Sequence, residues 1–220
     1  MNTKKLNDLP QREKKYAKTK ITLLNTLLNE LETKKLVDIK IKDLAFLSEI
    51  SEPTFFNYFD CKIHMLVYFI QMWSIDMNSI ALKSENIYIN NNIEIIKDIF
   101  KKTSEQISEH PQIMLEIISF QAQGIELTPH IITDAEKWLF FPDIKDVENL
   151  KSMGLESIIP PLLENAKLKK EISIEVDTQM LFLNISSLFF GLALLLLKDS
   201  AEAYPSILEK QINQLFKGLS

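Results

Sequence analysis

Cysteine is nearly absent from this chain of 220 residues, and glycine is scarce. The single cysteine, Cys61, rules out a disulfide within the chain and points to a reducing, cytoplasmic setting. No charged stretch followed by an apolar one opens the sequence, so no export signal is expected. The four glycines are scattered, so no glycine-rich loop that cradles phosphate is present. His64, His110 and His130 lack any metal-ligand spacing, and Cys61 has no obvious base beside it. Neither a metal, a cofactor nor an enzymatic activity is therefore expected. Asp134 and Glu136, like Glu105 and Glu109, read as solvated helix faces. Long apolar runs are also few. Met180 to Leu197 is interrupted by Asn184, Ser186 and Ser187, and barely reaches the roughly 20 residues that span a bilayer. It reads as a helix covered on more than one side, with no membrane partner.

What is present is helical periodicity. Alternating strand patterns are missing apart from Ile172 to Val176, which reads as a linker. A first helix is predicted from Gln11 to Glu32, with Ala17, Ile21, Leu24, Leu28 and Leu31 on one face. Further helices are predicted near 61–83, 91–109, 111–125, 129–140, 146–169 (interrupted by Pro160 and Pro161), 177–198 and 205–218. The expected fold class is all-α.

Between Lys40 and Leu66 the pattern becomes specific. A short amphipathic helix breaks at Glu49, Ile50 and Ser51 and is followed by a second, which is the spacing of a helix-turn-helix. Leu44, Ala45 and Ser48 mark the inward stripe of the first helix, and Phe55 and Phe59 that of the second. Ser51 is the expected N-cap, with Glu52 and Pro53 in the first turn. Adjacent side chains on a helix diverge by about 100°, so Phe55 and Phe56 cannot both enter one stripe. The eight-residue rod from Glu52 to Phe59 thus presents an outer face. The competing reading is an aromatic helix buried in the core.

Leu44-Ala45, Ser51, the run Pro53-Thr54-Phe55-Phe56-Asn57-Tyr58-Phe59 and Lys62 resemble the N-terminal domain of the TetR family of bacterial transcriptional repressors, over roughly residues 18 to 66. The resemblance implies a three-helix DNA-binding domain, over 11–62, joined to a larger helical ligand-binding and dimerisation domain, over 63–220. Residues 1–10 would be a flexible basic tail. Three departures stand out. Glu49 occupies the turn position where the family usually has glycine, at a cost on the order of 1 kcal/mol if φ is positive. Lys40 replaces a capping threonine, so Asp38 or water must satisfy that helix start. Cys61 and Ile63 replace a serine and a glutamate, with Asp60 as the substitute cap.

Charge is distributed unevenly. The chain carries −5 overall, but residues 1–62 hold 12 basic against 9 acidic side chains, and the rest 13 against 21. Positive charge therefore lies beside the helix-turn-helix. Lys4, Lys5, Arg12, Lys14, Lys15, Lys18 and Lys20 form a basic arm suited to phosphate. Expected phosphate contacts are Thr54, Tyr58 and Lys62, with Lys42 also on the DNA side. Expected base-edge contacts are Glu52, Pro53, Phe56 and Asn57: apolar groups against thymine methyls, Asn57 on adenine, Glu52 on cytosine.

The helix from Thr178 to Leu197 is apolar nearly all round, and Ile207, Ile212, Leu215, Phe216 and Leu219 give the last helix an apolar stripe, so both need cover, from a partner or by completing the monomer's own core. Met180, Leu183, Ser187, Phe190 and Leu194, with Ile207, Gln211 and Leu215, are the expected homodimer interface that the resemblance implies. Phe69, Met72, Trp73, Phe100, Met114, Phe120, Gln121 and Trp138 supply adaptable apolar surface for a small-molecule effector, and equally the composition of a core. The expected function is a ligand-responsive regulator, in which effector binding tilts the helix beginning near Asp60 and shifts the spacing of two readers on a pseudo-palindromic DNA operator. The alternative is a DNA-independent dimeric module, for small molecules or for protein partners, that keeps the fold.

Overall fold

The computed structural model describes residues 6, 8–124, 128–152 and 154–219. Lys4 and Lys5, in the expected tail, lie outside them. Helix α1 (Gln11–Leu31) buries Ala17, Lys20, Leu23, Leu24, Leu27 and Leu31. The intervals of three and four put these side chains on one stripe, and each fully buried leucine contributes about 1.5–3 kcal/mol. A 3-10 turn (Leu36–Asp38) leads to α2 (Ile41–Leu47) and α3 (Glu52–Phe55). The later helices are α4 (Lys62–Ile87), α5 (Asn92–Glu109), α6 (Pro111–Ala122), α7 (Asp134–Phe140), α8 (Leu155–Leu168), α9 (Thr178–Leu196) and α10 (Tyr204–Lys217). No strand occurs among the described residues, and Ile172 to Val176 is a linker.

The chain forms two compact units. The first comprises Met1–Ile75 with Gln123–Ser152, so α7 belongs to the same unit as the helix-turn-helix. There α1 packs on both α2 and α7, and α2 packs on α3. The second comprises Asp76–Ala122 with Met153–Ser220. Its α5 packs on α10, α8 and α6, while α9 packs on α10, α8 and α6. Phe100 of α5 meets Phe189 of α9 at 5.3 Å between ring centres, and the Tyr204 hydroxyl donates to the Phe189 carbonyl at 3.0 Å. The Glu171 carboxylate accepts the backbone N–H groups of Asn92 and Ile93, satisfying the start of α5.

Two local expectations change. Pro160 and Pro161 do not interrupt α8, which runs unbroken from Leu155 to Leu168. Burial of Ile158, Ile159, Leu162, Leu163 and Ala166 on one face offsets the two lost backbone donors. The apolar helix α9 is not covered on several sides within the chain: Leu181, Ile185, Phe189 and Ala193 are buried, while Met180 and Leu195 are 57% and 74% exposed. By length and composition alone α9 could cross a membrane, with a mean hydropathy of 1.9. Met180, Leu183, Ser187 and Leu194, four of the residues expected at a homodimer interface, lie on its exposed side.

Candidate nucleic-acid interface

The turn between α2 and α3 is held by a complete helix-end motif. The Glu49 N–H bonds to the Phe46 carbonyl at 3.1 Å and the Ile50 N–H to the Ala45 carbonyl at 3.0 Å, with Glu49 at φ +56°. A non-glycine residue thus occupies the left-handed position, as the departure from the family pattern implies. Lys40 is the residue before α2 and makes no side-chain cap. Ser51 caps α3: its Oγ accepts from the Thr54 N–H at 3.3 Å and lies 2.7 Å from Thr54 Oγ1.

The rod expected over Glu52–Phe59 is shorter than its pattern. One α-helical turn ends at Phe55; the Asn57 and Tyr58 N–H groups then bond three residues back, to Thr54 and Phe55, tightening the backbone. The faces nevertheless separate cleanly. Phe55 and Phe59 are buried, while Glu52, Pro53, Asn57 and Phe56, the last 48% exposed, point to solvent. Lys42 is exposed on α2, and beside it Phe46 is 80% exposed. Thr54 and Tyr58 are half-buried, and the Tyr58 ring packs against Tyr16 of α1 at 4.9 Å.

Lys62 behaves differently from the phosphate contact expected of it. Its Nζ donates to the carbonyls of Leu36, Val37 (2.9 Å) and Ile39 (2.6 Å). An ammonium has three N–H donors, and all three have partners here. The residue fastens the start of α4 to the turn before α2.

Lys20 and Glu136 also depart from their expected roles. Lys20 is not part of a solvated basic arm: it lies on the apolar stripe of α1, 3% exposed. Glu136 of α7 is fully buried rather than on a solvated face. The two pair at 2.7 Å. The Tyr68 hydroxyl donates to the same carboxylate oxygen at 3.0 Å, and Thr133 donates its N–H and hydroxyl to the other at 2.7 and 2.8 Å. Thr133 and Glu136 thereby form a capping box at the start of α7. Lys20 Nζ also sits 4.3 Å above the Tyr68 ring.

His130 completes this cluster. Its backbone pairs twice with the buried Gln71 side chain, N–H to Oε1 and carbonyl to Nε2, both at 2.9 Å. Its ring donates from Nε2 to the His64 carbonyl at 3.0 Å, which requires a proton on that nitrogen. Burial, and then the Lys20 charge, hold the His130 ring below its usual pKa. Burial and then Glu136 raise that of Tyr68 far above its ordinary value. His64 Nδ1 lies 3.1 Å from Asp60 Oδ2 at an angle that makes no hydrogen bond.

The expected effector residues divide between the units. Met72, in the first, is buried; Phe69, Trp73 and Trp138, also in the first, are half-buried. In the second, Phe100 and Met114 are core, Phe120 is half-buried and Gln121 exposed. A 340 Å³ cavity lined by Asn91, Lys97, Glu171, Asn213 and Phe216 includes none of them. At the expected dimer face Met180, Leu183, Ser187, Leu194 and Gln211 are exposed, and Phe190, Ile207 and Leu215 half-buried. No group of three or more metal-ligating side chains occurs among the described residues.

No protein-family model and no curated protein matches the sequence. Solved structures do match. FadR from Thermus thermophilus, a TetR-family transcriptional repressor in complex with lauroyl-CoA, aligns over 90% of this chain and 93% of its own at 11% identity, with a TM-score of 0.61. The fatty acid degradation regulator FadR from Bacillus halodurans covers 90% and 98% at 15% identity, also at 0.61. A TetR transcriptional regulator from Rhodococcus sp. RHA1 covers 92% and 98% at 14% identity, at 0.53. The chain has the all-α fold of TetR-family regulators.

Proposed function

We propose that this TetR-like chain is a DNA-binding transcriptional regulator, a ligand-responsive repressor acting as a homodimer on a pseudo-palindromic operator. The observation that carries the reading is the separation of faces on the short reader: Phe55 and Phe59 anchor it inside, and Glu52, Pro53, Phe56 and Asn57 are left free for base edges. Lys42 at the front of α2 supports the phosphate side. Two-fold pairing through the exposed stripe of α9, with the outer face of α10, supports the dimer, because it covers apolar surface that the single chain leaves in water. Fluorescence anisotropy with duplex from the gene's own upstream region, at two salt concentrations, tests the assignment. Binding that weakens with salt and falls at least tenfold in N57A supports it; no preference for that duplex over random DNA refutes it.

The effector is proposed to be an organic molecule with a sizeable apolar part. The Thermus protein's complex with lauroyl-CoA makes acyl-CoAs the first class to titrate. A DNA-independent module remains the second reading, favoured by a specific composition. Phe46, Leu47, Glu49 and Glu52 make the surface around the reader apolar and acidic, and the Lys62 donors are engaged by carbonyls.

A further inference from the structure

We infer that the Lys20–Glu136 pair is a conformational latch that joins α7 to the reader's first helix, so that the two open and close as one body. Residues 123–152 are an excursion: the sequence on both sides of them belongs to the second unit, yet they fold into the first. Within that unit the excursion is fastened by polar groups at two points. Gln71 pairs with both backbone polar groups of His130, and Glu136 takes donors from Lys20, Tyr68 and Thr133.

The Glu136 carboxylate holds two of these donors on each oxygen, which leaves it no unmet demand. The Lys20 ammonium rests on the Tyr68 face, with the Phe59 ring 5.7 Å away, so the latch touches the same aromatic that anchors the reader. Removing either charge strands the other in a buried site, whereas removing both does not. The pair therefore acts as an all-or-none fastening between α1 and α7. Any change that draws α7 away must break it, and α1 loosens with it. Lys20 and Glu136 are positioning residues for the reader, and the latch regulates the DNA-binding site proposed above.

Native-state hydrogen exchange of the full-length protein, read on peptides spanning 11–31, 133–141 and 178–217, tests this without any ligand. In the wild-type chain the first two segments should exchange through one opening event with the same denaturant dependence. E136Q and K20M should each speed exchange of both segments by about two to three orders of magnitude and leave 178–217 within a factor of about three. The double variant K20M/E136L, with no buried charge, should restore most of the protection.

Acceleration confined to 133–141 in E136Q would overturn the latch, as would equal acceleration of all three segments. If both single variants fail to fold, the double variant decides: protection there no better than in the urea-unfolded chain overturns the proposal. A second arm uses the upstream duplex as probe, which rests on the proposed function. Added DNA should slow exchange at 133–141 together with 11–31. Protection at 11–31 alone would overturn the coupling. Wild-type protein that binds no DNA would sink the regulator reading, and the exchange result would stand.

Discussion

Replacing Glu49 by glycine should stabilise the first unit. At φ +56° the Glu49 Cβ crowds its own carbonyl, a strain of about 1–2 kcal/mol for a single left-handed residue. Glycine removes that strain but gives the unfolded chain more freedom, which offsets about 0.5–1 kcal/mol of the gain. The net increase is about 0.5–1 kcal/mol, because both backbone bonds of the motif, from Glu49 and Ile50, are kept. Urea unfolding followed by circular dichroism measures it, with an unchanged slope as evidence that only stability moved. E49A keeps the Cβ and should gain nothing. An internal replicate exists at the end of α8. Lys170, at φ +61°, closes the same motif through its own bond to Lys167 and that of Glu171 to Ala166, so K170G should give a similar increment. If E49G is no more stable than E49A, the left-handed backbone carries no strain and the reasoning fails.

Three further outcomes are expected. K62M should cost about 1–3 kcal/mol, since it strips the donor from three carbonyls, while leaving the salt dependence of DNA binding unchanged. A salt slope lower by one unit, with stability intact, would return Lys62 to a phosphate. Acidification should lower thermal stability as pH falls through about 6.5. The folded chain holds His130 neutral among Lys20, His64, Tyr68 and Glu136, so below 6.5 the unfolded chain binds the proton more readily. H130Q should abolish that part of the loss between pH 7.5 and 5, and an identical pH profile in both proteins would remove the histidine as its source. L183E and L194E should each convert a dimer to a monomer in sedimentation, without unfolding either unit; an unaltered mass would place the interface elsewhere.

The helix-turn-helix was legible in the sequence because its signals are local. Adjacent Phe55 and Phe56 cannot share a stripe, Ser51 stands where a cap belongs, and the glutamate at 49 marks the strained turn. The shortening of the rod was not legible, because the bonds of Asn57 and Tyr58 reflect how the backbone tightens rather than residue type. The latch joins residues 116 positions apart in the sequence. A lysine beside other lysines reads as basic arm unless its register with Ala17, Leu24, Leu27 and Leu31 is given more weight than its charge. Glu136 was read as a solvated helix face although it stands three residues after Thr133, the spacing of a capping box, and nothing near it announced the distant cation. The effector residues could not be sorted at all, since the same apolar side chains build a filled interior and an empty one.

A buried cation whose counter-charge lies far downstream limits how this protein can be cut and recombined. A chimera grafting residues 1–62 onto the body of another protein of this fold would carry Lys20 without its carboxylate, and would have to supply an acid at the matching place or tolerate a misfolded head. Module swapping in this chain therefore needs residues 123–152 to travel with the N-terminus.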